Sequence, residues 1–256
     1  MSTITETSVL RSAFLKIGWA PIVTIGGTIL LSALAFIIGI NSATSYSDGM
    51  GMTKIILILT AVVGLTGYIM SYLGFAQAHK AFGITKAGDA FATLKLFFLI
   101  YCIIGTVFLI MAIALPSSAQ TYIDFVDNAD ADLRKWATLG IIFVVIYIIL
   151  AAFTIISLFV IMNKTATIAA TTNIEAMRNC ARGARYGVYC FFAGIVIALL
   201  SAAIDSLVVL GLCEGALLIF TIFTLVKWAG GWLEGATEVL RHPVEAADYG
   251  TNQPTE

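Results

Sequence analysis

Six long apolar runs constrain what this chain can fold into. They lie near residues 20–40, 55–78, 96–115, 137–162, 186–204 and 210–228, and the first five contain no Asp, Glu, Lys, Arg or His. A helix of about 20 residues crosses the roughly 30 Å hydrocarbon core of a bilayer. Membrane β-strands would instead alternate apolar and polar positions, whereas these runs are apolar on every face. The sequence therefore predicts an all-α membrane protein, a bundle of six transmembrane helices arranged as three helical hairpins.

The composition excludes two classes of protein. Of the 256 residues, 60% are hydrophobic and 11% are charged, whereas soluble domains carry about 25% charged residues. Too few charged side chains remain to cover a surface that faces water. The net charge of −1 also lacks the basic surplus that binding to nucleic acid requires. We therefore expect an integral membrane protein whose partners include lipids and do not include nucleic acid.

The domain organisation follows from the same pattern. Residues 1–242 are predicted to form a single polytopic membrane domain. Pro243 stops any helix, and the polar, acidic residues 243–256 are predicted to form a disordered tail. Residues 1–16 are polar and mixed rather than a cleavable signal peptide, so the first helix is expected to remain in the mature protein.

The distribution of cations predicts the orientation. Eleven lie on the side that holds both termini: Arg11, Lys16, Lys80, Lys86, Lys95, Lys164, Arg178, Arg182, Arg185, Lys227 and Arg241. The opposite loops hold Lys54, Arg134 and Lys135, beside a cluster of four aspartates between residues 124 and 132. Since short cation-rich loops stay in the cytoplasm, we expect both termini to be cytoplasmic, and we expect the protein to lie in the plasma (inner) membrane.

The tryptophans agree with these span limits, because Trp prefers the headgroup level. Trp19, Trp136, Trp228 and Trp232 all fall at predicted span ends. Residues 227–241 extend the sixth helix and are predicted to anchor it in the interface. Residues 122–136 have apolar positions at helical spacing and are predicted to form a short amphipathic segment on the outer interface.

One acidic pair is the candidate ion or proton site. Glu214 is the one ionisable side chain inside a predicted span before its Lys227 end, and Asp205 precedes it by nine residues. Ionisable groups in membrane spans often mark a transport path. The alternative is that Asp205 lies in a turn around 205–209 while Glu214 caps the first turn of the sixth helix.

Three Gly-x-x-x-Gly repeats are the candidate packing residues, because small side chains let helix backbones approach closely. The repeats are Gly183 with Gly187, Gly211 with Gly215, and Gly231 with Gly235. All lie in or next to the last hairpin, which is therefore the predicted region of tight packing within the chain or with a partner.

The sequence contains few residues that could catalyse a reaction. His79 and His242 are the two histidines and both lie in predicted cytoplasmic segments, so no multi-histidine metal or haem site is expected and no cofactor is predicted. The deep Ser and Thr residues can bond carbonyl groups one turn back in their own helices. One compact polar group remains as a hypothetical centre for a lipid transferase: His79, Lys80, Lys86 and Asp89.

The function expected from these features is that of a non-enzymatic, multi-pass membrane protein. It would act as a structural or accessory subunit, packing with itself or with other membrane subunits. The alternative is a small-solute or ion transporter or channel that uses Asp205 and Glu214. The predicted spans contain no proline away from their ends, which argues against the broken helices that build midplane sites in transporters.

The predicted orientation can be tested by cysteine accessibility on a cysteine-free background. A cysteine in place of Ser118, in the second loop opposite the termini, is expected to react with a membrane-impermeant reagent from the outside. Labelling from the cytoplasmic side alone would contradict the orientation.

Overall fold

The computed structural model describes residues 2–4, 6–41, 46–114, 133–201, 207–242 and 244–247. Within them the chain forms six helices and two short strands. In chain order these are β1 (Ser2–Ile4), α1 (Thr7–Asn41), α2 (Tyr46–Phe82), α3 (Lys86–Ala114), α4 (Leu133–Thr171), α5 (Ala176–Ser201), α6 (Leu207–Glu238) and β2 (Val244–Ala246).

All six predicted spans are confirmed as helices, each long and apolar enough to cross a membrane. Contacts between helices are consistent with the predicted helical bundle. Helix α2 ends at Phe82, and the next residue, Gly83, has a φ of +54°, the left-handed conformation that glycine adopts at little cost. The predicted amphipathic segment 122–136 lies outside the described residues, apart from Leu133 to Trp136, whose backbone belongs to α4.

Several helices are longer than the apolar runs that predicted them. Helix α3 begins ten residues before the predicted span, at Lys86, and α5 begins ten residues early, at Ala176. Helices α4 and α6 run past residues 162 and 228 to Thr171 and Glu238. These additional turns mix polar and apolar residues and bury the apolar ones against each other, so they are amphipathic helix outside the hydropathy windows.

A buried cluster lies mainly in turns beyond the apolar runs, and we call it the terminal layer. Every helix contributes at least one side chain that is almost fully buried. They are Phe14 of α1, Phe75 of α2, Phe91 of α3, Ile168 of α4, Met177 of α5 and Trp232 of α6. The aromatic rings pack edge to face or tilted, with centroids 5.3 Å apart for Phe14 and Trp232 and 5.8 Å apart for Phe75 and Trp232. Such pairs add about 0.5–1.5 kcal/mol each to the burial of their surfaces.

The prediction that Trp232 anchors the chain at the headgroup level is therefore wrong. Its side chain is 0% exposed, whereas Trp19, near the start of the first predicted span, is 49% exposed. The residues around Trp232 are the rings contributed by α1, α2 and α3, together with Trp228 at 5.6 Å. Val239, which was also assigned to the interfacial segment, is buried in the same layer. The end of α6 is thus core and not a surface anchor.

The prediction of a disordered tail is also wrong at the start of that tail. Residues 244–246 form β2, which pairs antiparallel with β1 so that Ser2 faces Ala246 and Ile4 faces Val244. Val244 and Ala246 are buried in the terminal layer. The burial of these two side chains stabilises an ordered strand in a segment whose polar composition predicted disorder. Residues 248–256 lie outside the described residues.

Strand β2 also bonds to two other parts of the chain. The amide of Ala247 donates to the carbonyl of Thr171 at 2.9 Å, and its carbonyl accepts from the amide of Lys86 at 3.3 Å. The amide of Glu245 donates to the Asn173 side chain at 2.9 Å. One short strand thus connects the N-terminus, the start of α3 and the connection between α4 and α5. Both terminal strands lie at the same end of the bundle, as an even number of spans requires.

Contacts divide the chain into two compact units. One comprises residues 1–21, 70–98 and 157–256 and contains the terminal layer; the other comprises 22–69 and 99–156. The division within α1 falls at Pro21, which lacks the N–H that would bond to the preceding turn. The prediction of one membrane domain over 1–242 stays a prediction.

Within the second unit, α1 approaches α2 closely. A Cβ added to Gly27 would lie 2.5 Å from a methyl carbon of Val63. The Tyr101 ring stacks on Tyr68 at 5.3 Å and contacts Phe153 at 5.2 Å. The second unit therefore has its own contacts between α2, α3 and α4.

Candidate functional site

The structure describes only one of the two residues of the predicted acidic site. Glu214 lies in the second turn of α6, is exposed, and has no hydrogen bond or ion pair with any residue that the structure describes. Asp205 lies outside the described residues. The pairing of the two carboxylates, and with it the ion or proton site, stays a prediction.

The deep hydroxyl groups behave as the sequence predicts. Thr28, Thr60 and Thr106 each donate to the carbonyl oxygen four residues earlier at 2.7–2.8 Å. Thr66, Thr154 and Thr221 do the same at 2.8–2.9 Å. These hydroxyl groups are satisfied within their own helices, so they require no solute or water to complete their hydrogen bonding.

The six glycines of the three repeats fall into two groups. A Cβ added to Gly183 would lie 2.6 Å from the backbone nitrogen of Trp228, and one added to Gly231 would lie 2.7 Å from that of Cys180. At Gly235 it would meet the Met177 methyl at 2.6 Å. Gly187 is looser, with Thr224 at 3.7 Å. Helices α5 and α6 thus approach each other closely through Gly183 and Gly231.

Gly211 and Gly215 form the second group. Both are exposed, and no atom of the described residues lies within 4 Å of a Cβ added to either. The same face of α6 continues through large exposed side chains at helical spacing. We call this face the outer α6 face; its members are Gly211, Gly215, Leu218 (60% exposed), Ile219 (70%), Ile222 (52%) and Val226 (61%).

The residues of the hypothetical transferase centre lie at the end of α2, with His79 and Lys80, and at the start of α3, with Lys86 and Asp89. His79 Nδ1 lies 2.9 Å from the carbonyl oxygen of Gly88. Thr85 caps the start of α3, since its hydroxyl accepts from the amide of Gly88 at 3.0 Å. Among the described residues, no group of three or more His, Cys, Asp or Glu could hold a metal ion. The bond from His79 joins the end of α2 to the start of α3 and so gives this residue a structural contact.

The start of α5 is capped by a carboxylate from α6. Glu238 accepts from the amides of Glu175 at 2.7 Å and of Ala176 at 3.0 Å, one bond to each oxygen. A carboxylate in this position satisfies two amides that have no partner in the helix and faces the positive end of the helix dipole. One turn earlier on α6, the Glu234 carboxylate accepts a hydrogen bond from the side-chain amide of Asn179 at 3.2 Å.

A polar groove opens beside this cap, with a volume of about 690 Å³. We call it the arginine groove, because three arginines line it: Arg178 and Arg182 of α5, and Arg241 just after α6. All three are exposed. Its other lining residues include the capping Glu238 and His242. The spacing of Arg178 and Arg182 places them one turn apart on the same face of α5.

Sequence reasoning treated these arginines only as orientation signals. Helical spacing could have indicated that Arg178 and Arg182 share a face. The contribution of Arg241 depends on where α6 ends, and that end is set by burial in the terminal layer.

The chain was compared with protein-family models, with curated proteins and with solved structures, and none of them matches it.

The two groups of glycines predict opposite effects of added methyl groups. Gly183→Ala forces a Cβ against the Trp228 backbone and is expected to lower the free energy of unfolding by about 1–3 kcal/mol. Gly211→Ala meets no neighbour and is expected to leave it unchanged or raise it by up to about 1 kcal/mol, since alanine favours helix. Reversible denaturation in detergent micelles, followed by circular dichroism, measures both. Equal effects of the two substitutions would contradict this packing.

Proposed function

We propose that this multi-pass membrane protein is a non-enzymatic structural or accessory subunit that associates through the outer α6 face. The observation that carries the proposal is the contrast between the two groups of glycines. Gly183 and Gly231 are used in packing within the chain, whereas Gly211 and Gly215 are open.

The chemistry of the outer α6 face supports a helix as its partner. Two glycines four residues apart leave a shallow depression on a helix, and Leu218 and Ile219 in the next turn form an apolar wall beyond it. Close backbone approach at such a depression gives van der Waals contact and weak Cα–H···O bonds. Lipid chains also fill such surfaces, but they do not gain these directional contacts. The partner is therefore a transmembrane helix, of a second copy or of another membrane subunit.

The distribution of polar groups supports a role without catalysis or transport. The deep threonines bond within their own helices, and Glu214 is exposed on α6 next to Gly215. We assign Glu214 to the headgroup region at the outer end of α6, in line with the cation distribution that puts both termini in the cytoplasm. A location in the plasma (inner) membrane is a further part of the proposal.

Association can be tested by the mass of the full chain purified in a mild non-ionic detergent. The chain alone has a mass of 27.3 kDa, and we expect native mass spectrometry to find it in a complex of fixed stoichiometry. Gly211→Leu with Gly215→Leu fills the depression and is expected to reduce the complex at least tenfold. Gly26→Leu is the matched control, since Gly26 is also an exposed helix glycine with nothing within 4 Å, and it should leave the complex intact.

Three results would contradict the proposal. The first is a parent protein that is monomeric, and the second is a complex that the paired leucine substitutions do not weaken. The third is proton or sodium flux in liposomes that is robust in the parent and lost in Glu214→Gln at equal incorporation, because a coupled carboxylate cannot act without its charge. This third result would favour the transporter.

A further inference from the structure

The arginine groove holds more cationic side chains than its internal contacts use. No hydrogen bond or ion pair joins the guanidinium groups of Arg178, Arg182 and Arg241 to any residue that the structure describes. Guanidinium groups are planar, always charged and suited to two-point contacts with phosphate oxygens. Three of them around one groove of about 690 Å³ make a site for an anionic group.

The carboxylates in the groove have other partners. Glu238 is held by two amides at the start of α5, where the helix dipole offsets part of its charge. Glu234 accepts from Asn179. Glu175 is the remaining acidic residue of the lining. The three carboxylates balance the three arginines in formal charge, but Glu234 and Glu238 are held by amides, so the guanidinium groups remain available for direct hydrogen bonds to an anionic group.

The depth of the groove fits a ligand at the membrane surface. Arg182 lies four residues before the apolar run at 186–204, about 6 Å along the helix axis at 1.5 Å per residue. The headgroup region extends roughly 5–7 Å beyond the hydrocarbon core on each side. Arg182 is therefore at headgroup level, and Arg178 and Arg241 lie on its aqueous side. Basic pockets between helix ends on the cytoplasmic side are known sites for phosphate-bearing headgroups.

We propose that the arginine groove binds a phosphate group, carried either by an anionic lipid headgroup or by a small soluble phosphate ester. Arg178 and Arg182 contact the phosphate from one face of α5, and Arg241 contacts it from the end of α6. Because the ligand would join α5 to α6 beside the Glu238 cap, its binding would also stabilise the terminal layer. This inference does not depend on the proposed accessory role.

The test measures binding to the full chain in a non-ionic detergent by isothermal titration calorimetry. The two probes are short-chain phosphatidylglycerol and glycerol 3-phosphate, with short-chain phosphatidylcholine as the comparison lipid. We expect saturable 1:1 binding of at least one probe. Binding of the phosphatidylglycerol alone identifies a lipid headgroup, whereas binding of both probes identifies a site for soluble phosphate esters as well.

Substitutions then assign the binding to the groove. Arg178→Gln with Arg182→Gln is expected to weaken binding at least tenfold. Arg185→Gln is the matched control, because Arg185 is exposed on the same helix but does not line the groove, and it should change affinity less than twofold. Tryptophan emission, to which the buried Trp232 contributes as one of four tryptophans, reports whether a variant has folded as the parent does. If the paired glutamines do not fold, Arg178→Lys with Arg182→Lys keeps the charges but removes the two-point contacts and should still weaken binding at least threefold.

Three results would overturn the proposal. They are no saturable binding of either probe, equal affinity for phosphatidylcholine and phosphatidylglycerol, and an Arg185→Gln variant that binds as weakly as the paired variant. The last would mean a general attraction to surface charge rather than a site.

Discussion

Trp232 is the point on which the packing of this chain depends. Its ring lies among Phe14, Phe75 and Phe91, which come from three helices far apart in sequence. The indole N–H has no hydrogen-bond partner in the described part of the chain. The rings of Phe75 and Trp228 lie nearly perpendicular to the indole ring, with centroids 5.8 and 5.6 Å away. The terminal layer lies mainly in helix turns beyond the apolar runs, where its side chains would otherwise meet water. Burial of their apolar surface therefore contributes to stability together with the interlocking of the rings.

The two proposals concern different parts of the molecule, the outer α6 face and the arginine groove. Both parts result from the packing of α5 on α6. Packing of α5 on α6 through Gly183 and Gly231 leaves the outer α6 face with its open glycines. The same packing brings Glu238 to the start of α5 and aligns three arginines around one groove. One end of the α5–α6 hairpin thus carries the proposed phosphate site, and its apolar face carries the proposed docking surface for a helix.

Hydropathy predicted the number and positions of the spans, because long uncharged runs have few alternative structures. The cation count predicted the orientation, which stays a prediction. Neither predicted the terminal layer, because the residues that build it lie among polar ones. A second signal was present in the sequence: Leu10, Ala13, Phe14 and Ile17 have the spacing i, i+3, i+4, i+7, and so do Ala87, Ala90, Phe91 and Leu94. That spacing indicates helices with one buried face. The spacing alone, however, does not distinguish burial in protein from burial in the membrane interface. Trp232 was assigned to the interface because tryptophan prefers the headgroup level, a preference that does not exclude burial in the core.

Strand β2 and the arginine groove were beyond sequence reasoning for a different reason. A three-residue strand has no periodicity to recognise, and its partners are the N-terminus and the connection between α4 and α5. The groove requires Arg241, which is brought to α5 by the end of a helix that burial extends. Both features are set by contacts between distant residues rather than by local composition. The open state of Gly211 and Gly215 likewise follows from which face of α6 packs on α5.

Hydrogen exchange on the full chain in nanodiscs tests the terminal layer most directly. Helix ends that leave the membrane and meet water ordinarily open and exchange quickly. If the layer is packed as described, amides in residues 7–16, 86–94, 176–184 and 230–238 will exchange as slowly as those inside the spans. Exchange in these four segments at the rate of frayed helix ends, with the spans protected, would contradict the account.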